Sequence, residues 1–539
     1  MRRFGTQGPV HPAENYVVAR IEKINDFINR IKDGKYIVIF APRQTGKTTF
    51  FQRALDRLIT EEPTYFPIPL NFDIYKNLSP STFYGHLYQQ IRQGIEQVFQ
   101  HRDIAPSDAL TEFLTNTGLA DHLSLLEFFR EFANFLDVEC NEQKVVIVID
   151  EFDGIPQAAL SDFLHTLRHI YIAGKPRCPH SVSIVGVKSI NQLNYDRSIS
   201  PFNIQDEFHL PNFTREEVQD LLGQYTDEVG QTFNPAVITS IHKQTAGQPV
   251  LVNRLAQILT EEFDIPKAET ITMSHFITAH TQLLYSQNTN IVHLTTNIRK
   301  DPRFEKILMR ITAHEDGVPF NPHDELINIL ATYGVISKGT DNMCDIANPI
   351  YLYAILQAFK PTVNGLEEKY FPENNIIGFR AYLTNTGQID MESLLDNFRD
   401  FIARAGFQIL QVPQTPQESV GRHLLLTYLD GFVQAVGGNM FLEVQMGRGR
   451  IDLCIVYNQR KYIVETKIWR GERRYQAGKR QLAAYLKLEN AIEGYYVVFD
   501  HREASEPRVE TETVEGFTIR SYVIPVIQKK PSDRSTENA

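Results

Sequence analysis

Ala41-Pro42-Arg43-Gln44-Thr45-Gly46-Lys47-Thr48-Thr49 follows the apolar run Tyr36-Ile-Val-Ile-Phe40 and opens a stretch of helical character. A strand that turns through glycine and hands Lys-Thr to a helix points consecutive backbone N–H groups at a phosphate. In this reading residues 41–49 form the phosphate loop. Gly46 allows the turn, Lys47 reaches the terminal phosphates and the Thr48 hydroxyl ligates magnesium. Ala41 stands where such loops usually carry their first glycine, and its methyl group is compatible if the backbone there has ordinary dihedrals.

Outward from the loop, an amphipathic helix over 21–31 precedes the strand 36–40. A strand at 64–72, helices at 82–100 and 121–137, and strands at 144–149 and 181–187 follow it. This alternation predicts a mostly parallel sheet covered on both faces. The strand Lys144–Ile149 ends in Asp150-Glu151, where Asp150 would hold magnesium through water and Glu151 would orient or deprotonate an attacking water. Lys188, just beyond the fourth strand, is a candidate sensor of the terminal phosphate. From Phe213 the pattern turns helical. Thr214-Arg-Glu-Glu217 is a capping box, and further helices at 235–244 and 249–262 read as a lid that would carry Arg254 to the nucleotide. Helix-forming stretches and a short hairpin within 303–360 read as a winged helix.

A second constellation lies towards the C-terminus: Met446-Gly-Arg-Gly-Arg450-Ile-Asp452, Lys461-Tyr-Ile-Val-Glu465-Thr-Lys467 and Gln481-Leu-Ala-Ala-Tyr485. Glu465 and Lys467, two apart on one strand, share a face. If Asn458-Gln-Arg-Lys461 is a hairpin turn, Asp452 comes to the same edge, with the Thr466 carbonyl as a further ligand. Metal-assisted phosphodiester cleavage needs carboxylates to fix the ion and a cation to meet the developing charge. The surrounding Arg450, Arg473, Arg474, Lys479 and Arg480 would grip phosphates.

The chain has 539 residues with a net charge of −11, so contact with nucleic acid must be local rather than through bulk charge. Its length exceeds one hydrophobic core and divides naturally into three or four domains. No apolar run approaches the roughly 20 residues that cross a bilayer, and the N-terminus lacks the apolar stretch of a secretory signal. A cytoplasmic protein with no membrane partner is the expectation. Cys140, Cys178, Cys344 and Cys454 contain no Cys-x-x-Cys pair, which argues against structural zinc and a disulfide framework.

Gly8-Pro-Val, Tyr16-Val-Val-Ala-Arg20, the phosphate loop, Ile149-Asp-Glu-Phe-Asp153, Ser200-Pro-Phe-Asn203, Leu210-Pro-Asn-Phe-Thr-Arg-Glu-Glu217, Thr245-Ala-Gly-Gln-Pro-Val-Leu-Val-Asn-Arg254 and Ile346-Ala-Asn-Pro-Ile-Tyr351 together resemble prokaryotic AAA-like ATPases related to the archaeal-ATPase and STAND groups. That resemblance implies ATP and Mg2+ as cofactors, and leaves room for a homo-oligomer through the ATPase domain. In that family an arginine often stands where this chain has Lys188. The C-terminal motifs resemble the PD-(D/E)XK nucleases. Helix 418–435, strands 440–446, 451–457 and 461–468, helix 476–490 and strand 494–500 match their α-β-β-β-α-β core. Gln481 and Tyr485 match the Gln-x-x-x-Tyr motif of RecB-like members, where they contact substrate or orient the site. Ile451 replaces the motif's proline. The resemblance also implies an acid from the first helix, for which Glu418 is the candidate.

The fold class expected is therefore α/β multidomain. It comprises a P-loop ATPase core at 1–212, a helical lid at 213–295, a winged-helix-like domain at 296–360, a connector at 361–394, a restriction-endonuclease-like domain at 395–528 and a disordered tail at 529–539. The function expected is an ATP-gated, metal-dependent nuclease acting on nucleic acid, DNA in preference to RNA, in defence or DNA processing. An ATP-dependent signalling switch, in which the nuclease fold is a non-catalytic nucleic-acid clamp, is the alternative. A helicase motor would need a second ATPase core, which the sequence lacks.

Overall fold

A computed structural model describes residues 1–42, 44–139, 143–174, 177–186, 205–286, 289–313, 318–358, 379, 381–405, 417–444, 451–489, 491–502 and 505–526. The chain divides into two compact units. One comprises Met1–Val229 with Gln248–Asn253 and Thr332–Gly334; the other comprises Gly230–Gly247, Arg254–Ala331 and Val335–Ala539.

In the first unit β1 (Tyr36–Phe40), β2 (Tyr65–Asn71), β3 (Lys144–Asp150), β4 (Ser181–Gly186) and β5 (Gln205–Glu207) form a sheet in the order β2-β3-β4-β1-β5. Every pairing is parallel. The apolar runs reflect burial on both faces, as parallel sheets require. Tyr36 and Val38, with Val145, Ile147 and Ile149, join the core beneath the helices Pro80–His101, His122–Glu139 and Gln157–Ile172. Ile37 and Ile39, with Val146 and Val148, join the opposite core, shared with the helices Ile21–Lys32 and Lys47–Glu61. Successive residues thus alternate between the two cores, the period of a strand. The short β5 was not expected from the sequence; it extends the sheet beside β1.

The loop after β3 is tightly packed. A Cβ at Gly154 would lie 1.9 Å from the carbonyl oxygen of Phe72, so only glycine fits without moving backbone.

In the second unit β6 (Ile336–Lys338) and β7 (Cys344–Ile346) form an antiparallel pair after the helices Pro302–Ala313 and Glu325–Thr332. The strands β8 (Asn439–Val444), β9 (Ile451–Tyr457), β10 (Arg460–Ile468), β11 (Glu493–Asp500), β12 (Arg508–Val514) and β13 (Phe517–Pro525) form a mixed sheet in the order β12-β13-β11-β10-β9-β8. Asn458 and Gln459, at φ 44° and 64°, make the two-residue turn between β9 and β10, the conformation that matches strand twist. The helix Glu472–Glu489 provides the crossover between β10 and β11, which run parallel. The helices Met391–Ala405 and Gln417–Val436 precede β8. The hairpin β12–β13 and the helix Met391–Ala405, which crosses the boundary drawn between connector and C-terminal domain, were not expected from the sequence. The proposed tail at 529–539 lies outside the described residues. Among the described residues no helix is long and apolar enough to cross a membrane.

Candidate nucleotide and phosphodiesterase sites

The phosphate loop leaves β1 at Ala41, whose N–H donates to the Gly186 carbonyl of β4 (3.3 Å). Ala41 is not among the residues of positive φ, whereas Gln44 (62°) and Gly46 (82°) are. The backbone therefore demands no glycine at position 41, and the departure from the usual loop is accommodated. Thr45 Oγ1 donates to the Pro42 carbonyl (2.9 Å). Lys47, 7% exposed, folds its Nζ back onto the carbonyls of Ala41 and Pro42, each at 2.8 Å. Thr48 Oγ1 donates to Asp150 Oδ2 at 2.7 Å. This contact joins the hydroxyl at the start of the helix to the carboxylate at the end of β3, although 102 residues separate them. A lysine curled over its loop and a hydroxyl–carboxylate pair beside it suit a phosphate with magnesium, so the residues fit nucleotide and Mg2+.

Glu151 follows in the left-handed region (φ 48°), with its N–H donating to Asp150 Oδ1 (3.0 Å). A non-glycine residue held there carries backbone strain, which collects at functional positions. Thr49 faces elsewhere: its Oγ1 accepts from the Val10 N–H (3.1 Å), tying the N-terminal segment to the helix. Arg43 and Lys188 lie outside the described residues, as does the Ser200–Asn203 stretch. Arg254, expected over the nucleotide, is engaged locally: its Nη1 donates to Gln257 Oε1 (2.7 Å) and pairs with Glu262.

In the second unit, the register sets Asp452 of β9 directly opposite Glu465 of β10. On its other side Asp452 pairs with Glu443 of β8. Directly paired positions lie on the same face of a sheet, so three acidic positions form a row across three adjacent strands. Glu443 was missed in the sequence because it lies ahead of the motif; only the register of β8 brings it into line. Carboxylates are the hard oxygen donors that magnesium prefers, so the residue types fit the ion. The side chains of Glu443, Asp452 and Glu418 lie outside those described. Among the described residues no group of three or more His, Cys, Asp or Glu side chains could hold a metal ion.

Glu465 and Lys467 are 1% and 5% exposed, and Lys467 Nζ lies 2.8 Å from Glu465 Oε1. The Thr466 carbonyl between them, expected as a metal ligand, accepts from Arg422 Nη2 at 2.8 Å. Arg473, Arg474 and Arg480 are exposed on the crossover helix. Lys479 corrects an expectation. Wholly buried, it pairs with Glu512 and with Glu510 (3.1 Å) on β12 and stacks on Tyr475, so it has no free face to offer a phosphate. Burial works against its charge, but Glu512 and Glu510 outweigh that and raise its pKa. Gln481 is half-buried and Tyr485 is buried. Arg450 lies outside the described residues.

The first unit is thus a P-loop ATPase-like core, with loop and acidic strand end joined through Thr48 and Asp150. The AAA-like domain family matches residues 6–353, more than half of the chain, and the protein belongs to that family. Residues 390–503 match a domain family of unknown function, DUF8371. An uncharacterised WD repeat-containing protein of Synechocystis sp. is 24% identical over 247 residues, which are 44% of this chain but only 20% of that protein. Among solved structures, the Walker-type ATPase of Pyrococcus abyssi is 16% identical, with TM-score 0.45, over 65% of this chain and 99% of that one. Cdc6p from Pyrobaculum aerophilum is 13% identical, with TM-score 0.35, over 65% and 96%. The Aeropyrum pernix ORC1 protein, solved in complex with DNA, is 15% identical, with TM-score 0.31, over 63% and 93%.

Proposed function

We propose that the protein is an ATP-hydrolysing switch joined to a metal-dependent nuclease that acts on DNA, with nucleotide state controlling cleavage. The observation that carries the nuclease half is the register pairing of Asp452 with Glu465, two residues from Lys467, on strands followed by a helical crossover to a parallel partner. In this reading Lys47 and the N–H groups of the loop bind the nucleotide phosphates, Thr48 and Asp150 hold magnesium, and Glu151 positions the attacking water. In the second unit Asp452 and Glu465 would hold the ion, which when bound would supply Lewis-acid activation of water and of the phosphoryl group. Lys467 faces the charge that develops on the phosphate, while Arg473, Arg474 and Arg480 bind the backbone on either side. The domain division proposed is 1–212, 213–295, 296–360, 361–394 and 395–528. Assembly into a homo-oligomer through the ATPase domain is part of the same proposal.

The test is cleavage of linear, circular and single-stranded DNA, with an RNA control, by wild type and Glu465→Ala in magnesium or manganese. Metal-dependent cutting by wild type that falls by ~10³-fold or more in Glu465→Ala is the expected result. If nothing is cut while ATP is hydrolysed, the nuclease half is wrong, and the reading favoured is the signalling switch with a non-catalytic nucleic-acid clamp.

A further inference from the structure

Arg422 is among the largest fully buried side chains of the protein, at 1% exposure. It stands on the helix Gln417–Val436, and its Nη2 donates to the backbone carbonyl of Thr466. A guanidinium cannot shed its charge, and burying one is costly unless its surroundings compensate. A methionine or leucine would fill such a site at lower cost. The carbonyl it holds belongs to the residue between Glu465 and Lys467, whose side chains are themselves buried.

The helix is brought this close by its preceding residue. A Cβ at Gly421 would lie 2.7–2.8 Å from the ring carbons of Phe499 on β11. Glycine at 421 lets the helix sit against the sheet, and that approach places the guanidinium at β10. The two neighbouring residues thus deliver a fixed charge to the middle of the Glu-x-Lys strand.

We infer that Arg422 is a positioning residue of the phosphodiesterase site: by holding the Thr466 carbonyl, it fixes the strand segment that presents Glu465 and Lys467. The inference rests on the nuclease reading of that site. Groups that orient metal ligands at one remove typically change affinity or activity by ~10–100-fold when lost. A lysine keeps the charge but lacks the rigid planar fork, so it restores the function only in part.

The experiment compares wild type, Glu465→Ala, Arg422→Gln and Arg422→Lys, all full-length. It reads Mn2+ binding by electron paramagnetic resonance, cleavage kcat and KM for a linear duplex, and thermal unfolding. Arg422→Gln is expected to weaken Mn2+ binding by ~10-fold or more and to lower kcat by ~10–100-fold with KM within ~3-fold. Arg422→Lys should fall between it and wild type. Arg422→Gln that binds Mn2+ and cuts as wild type does, while Glu465→Ala is dead, overturns the inference and leaves the nuclease reading intact. Wild type that neither binds Mn2+ nor cuts overturns both. If Arg422→Gln unfolds, Arg422→Lys decides: a folded lysine variant with wild-type Mn2+ affinity and kcat sinks the inference, and one reduced in both supports it.

Discussion

His280 is a buried base whose cost is set by what surrounds it. It is 2% exposed, its ring lies 4.7 Å from that of Phe441 and 5.8 Å from that of Phe276, and neither ring nitrogen has a hydrogen-bond partner among the described residues. Burial alone pushes its pKa down to about 3. The unfolded chain takes up this proton as pH falls through about 6.5, whereas the folded imidazole stays neutral until about 3. The sign follows: the contribution to stability is complete above the unfolded value and is lost as pH falls towards the folded one. Between pH 7 and pH 5 this amounts to roughly 2 kcal/mol, at 1.36 kcal/mol for each pKa unit. His280→Leu should therefore resist acid better than wild type by about that much in urea unfolding at the two pH values. Equal losses in the two proteins would show that the imidazole titrates normally in the folded state.

Among the elements, the helix Gln417–Val436 makes a second polar contact, at Asp430. Its carboxylate accepts from Tyr285 (2.9 Å), Tyr353 (3.2 Å to each oxygen), Gln357 (3.0 Å) and Gln434 (2.7 Å), so it gathers two other helices, Met273–Tyr285 and Pro349–Ala358. Burial, followed by the charge of Asp430, raises the pKa of both tyrosines. Asp430→Ala removes the shared acceptor of four donors, of which Tyr353 is buried, and should cost ~1–3 kcal/mol, against ~1 kcal/mol for Tyr353→Phe, both measurable by chemical unfolding. Asp430 leaves little trace in sequence, because Tyr285, Tyr353 and Gln357 come from segments more than 70 residues away. Arg422 was hidden for a related reason: the contact that its Nη2 makes is to a backbone carbonyl 44 residues away, which any residue could supply. By contrast β1 and β3 were legible, since burial on both faces writes a continuous apolar run. The hairpin β12–β13 was not: β12 reads Arg-Val-Glu-Thr-Glu-Thr-Val, and its acids are matched by Lys479 from the crossover helix. Missing that strand made Lys479 look like one more phosphate-binding cation. Its tight turn, Glu515-Gly516 at φ 51° and 89°, was the available signal.

At the scale of the whole molecule, one chain carries a nucleotide site and a proposed nuclease site, and control of one by the other requires a coupling free energy between them. A nucleotide that binds every state of the chain equally shifts nothing, however tightly it binds. Control therefore predicts that ATP, ADP and nucleotide-free protein cut at different rates. Coupling of ~1–3 kcal/mol corresponds to roughly 5–150-fold in rate if cleavage tracks the population of the competent state. Two variants separate binding from turnover. Lys47→Ala removes the cation at the phosphates and should abolish the nucleotide effect while leaving the nucleotide-free rate within ~3-fold of wild type. Glu151→Gln keeps the phosphate contacts but loses the carboxylate proposed to position water, so it should hold the protein in its ATP-bound behaviour and make the effect of ATP persist as wild type exhausts its nucleotide. Time courses of cleavage and phosphate release, followed together, read both variants. Equal rates with ATP, ADP and no nucleotide would mean that the two sites work independently. A nucleotide effect that survives in Lys47→Ala would place the control outside this phosphate loop.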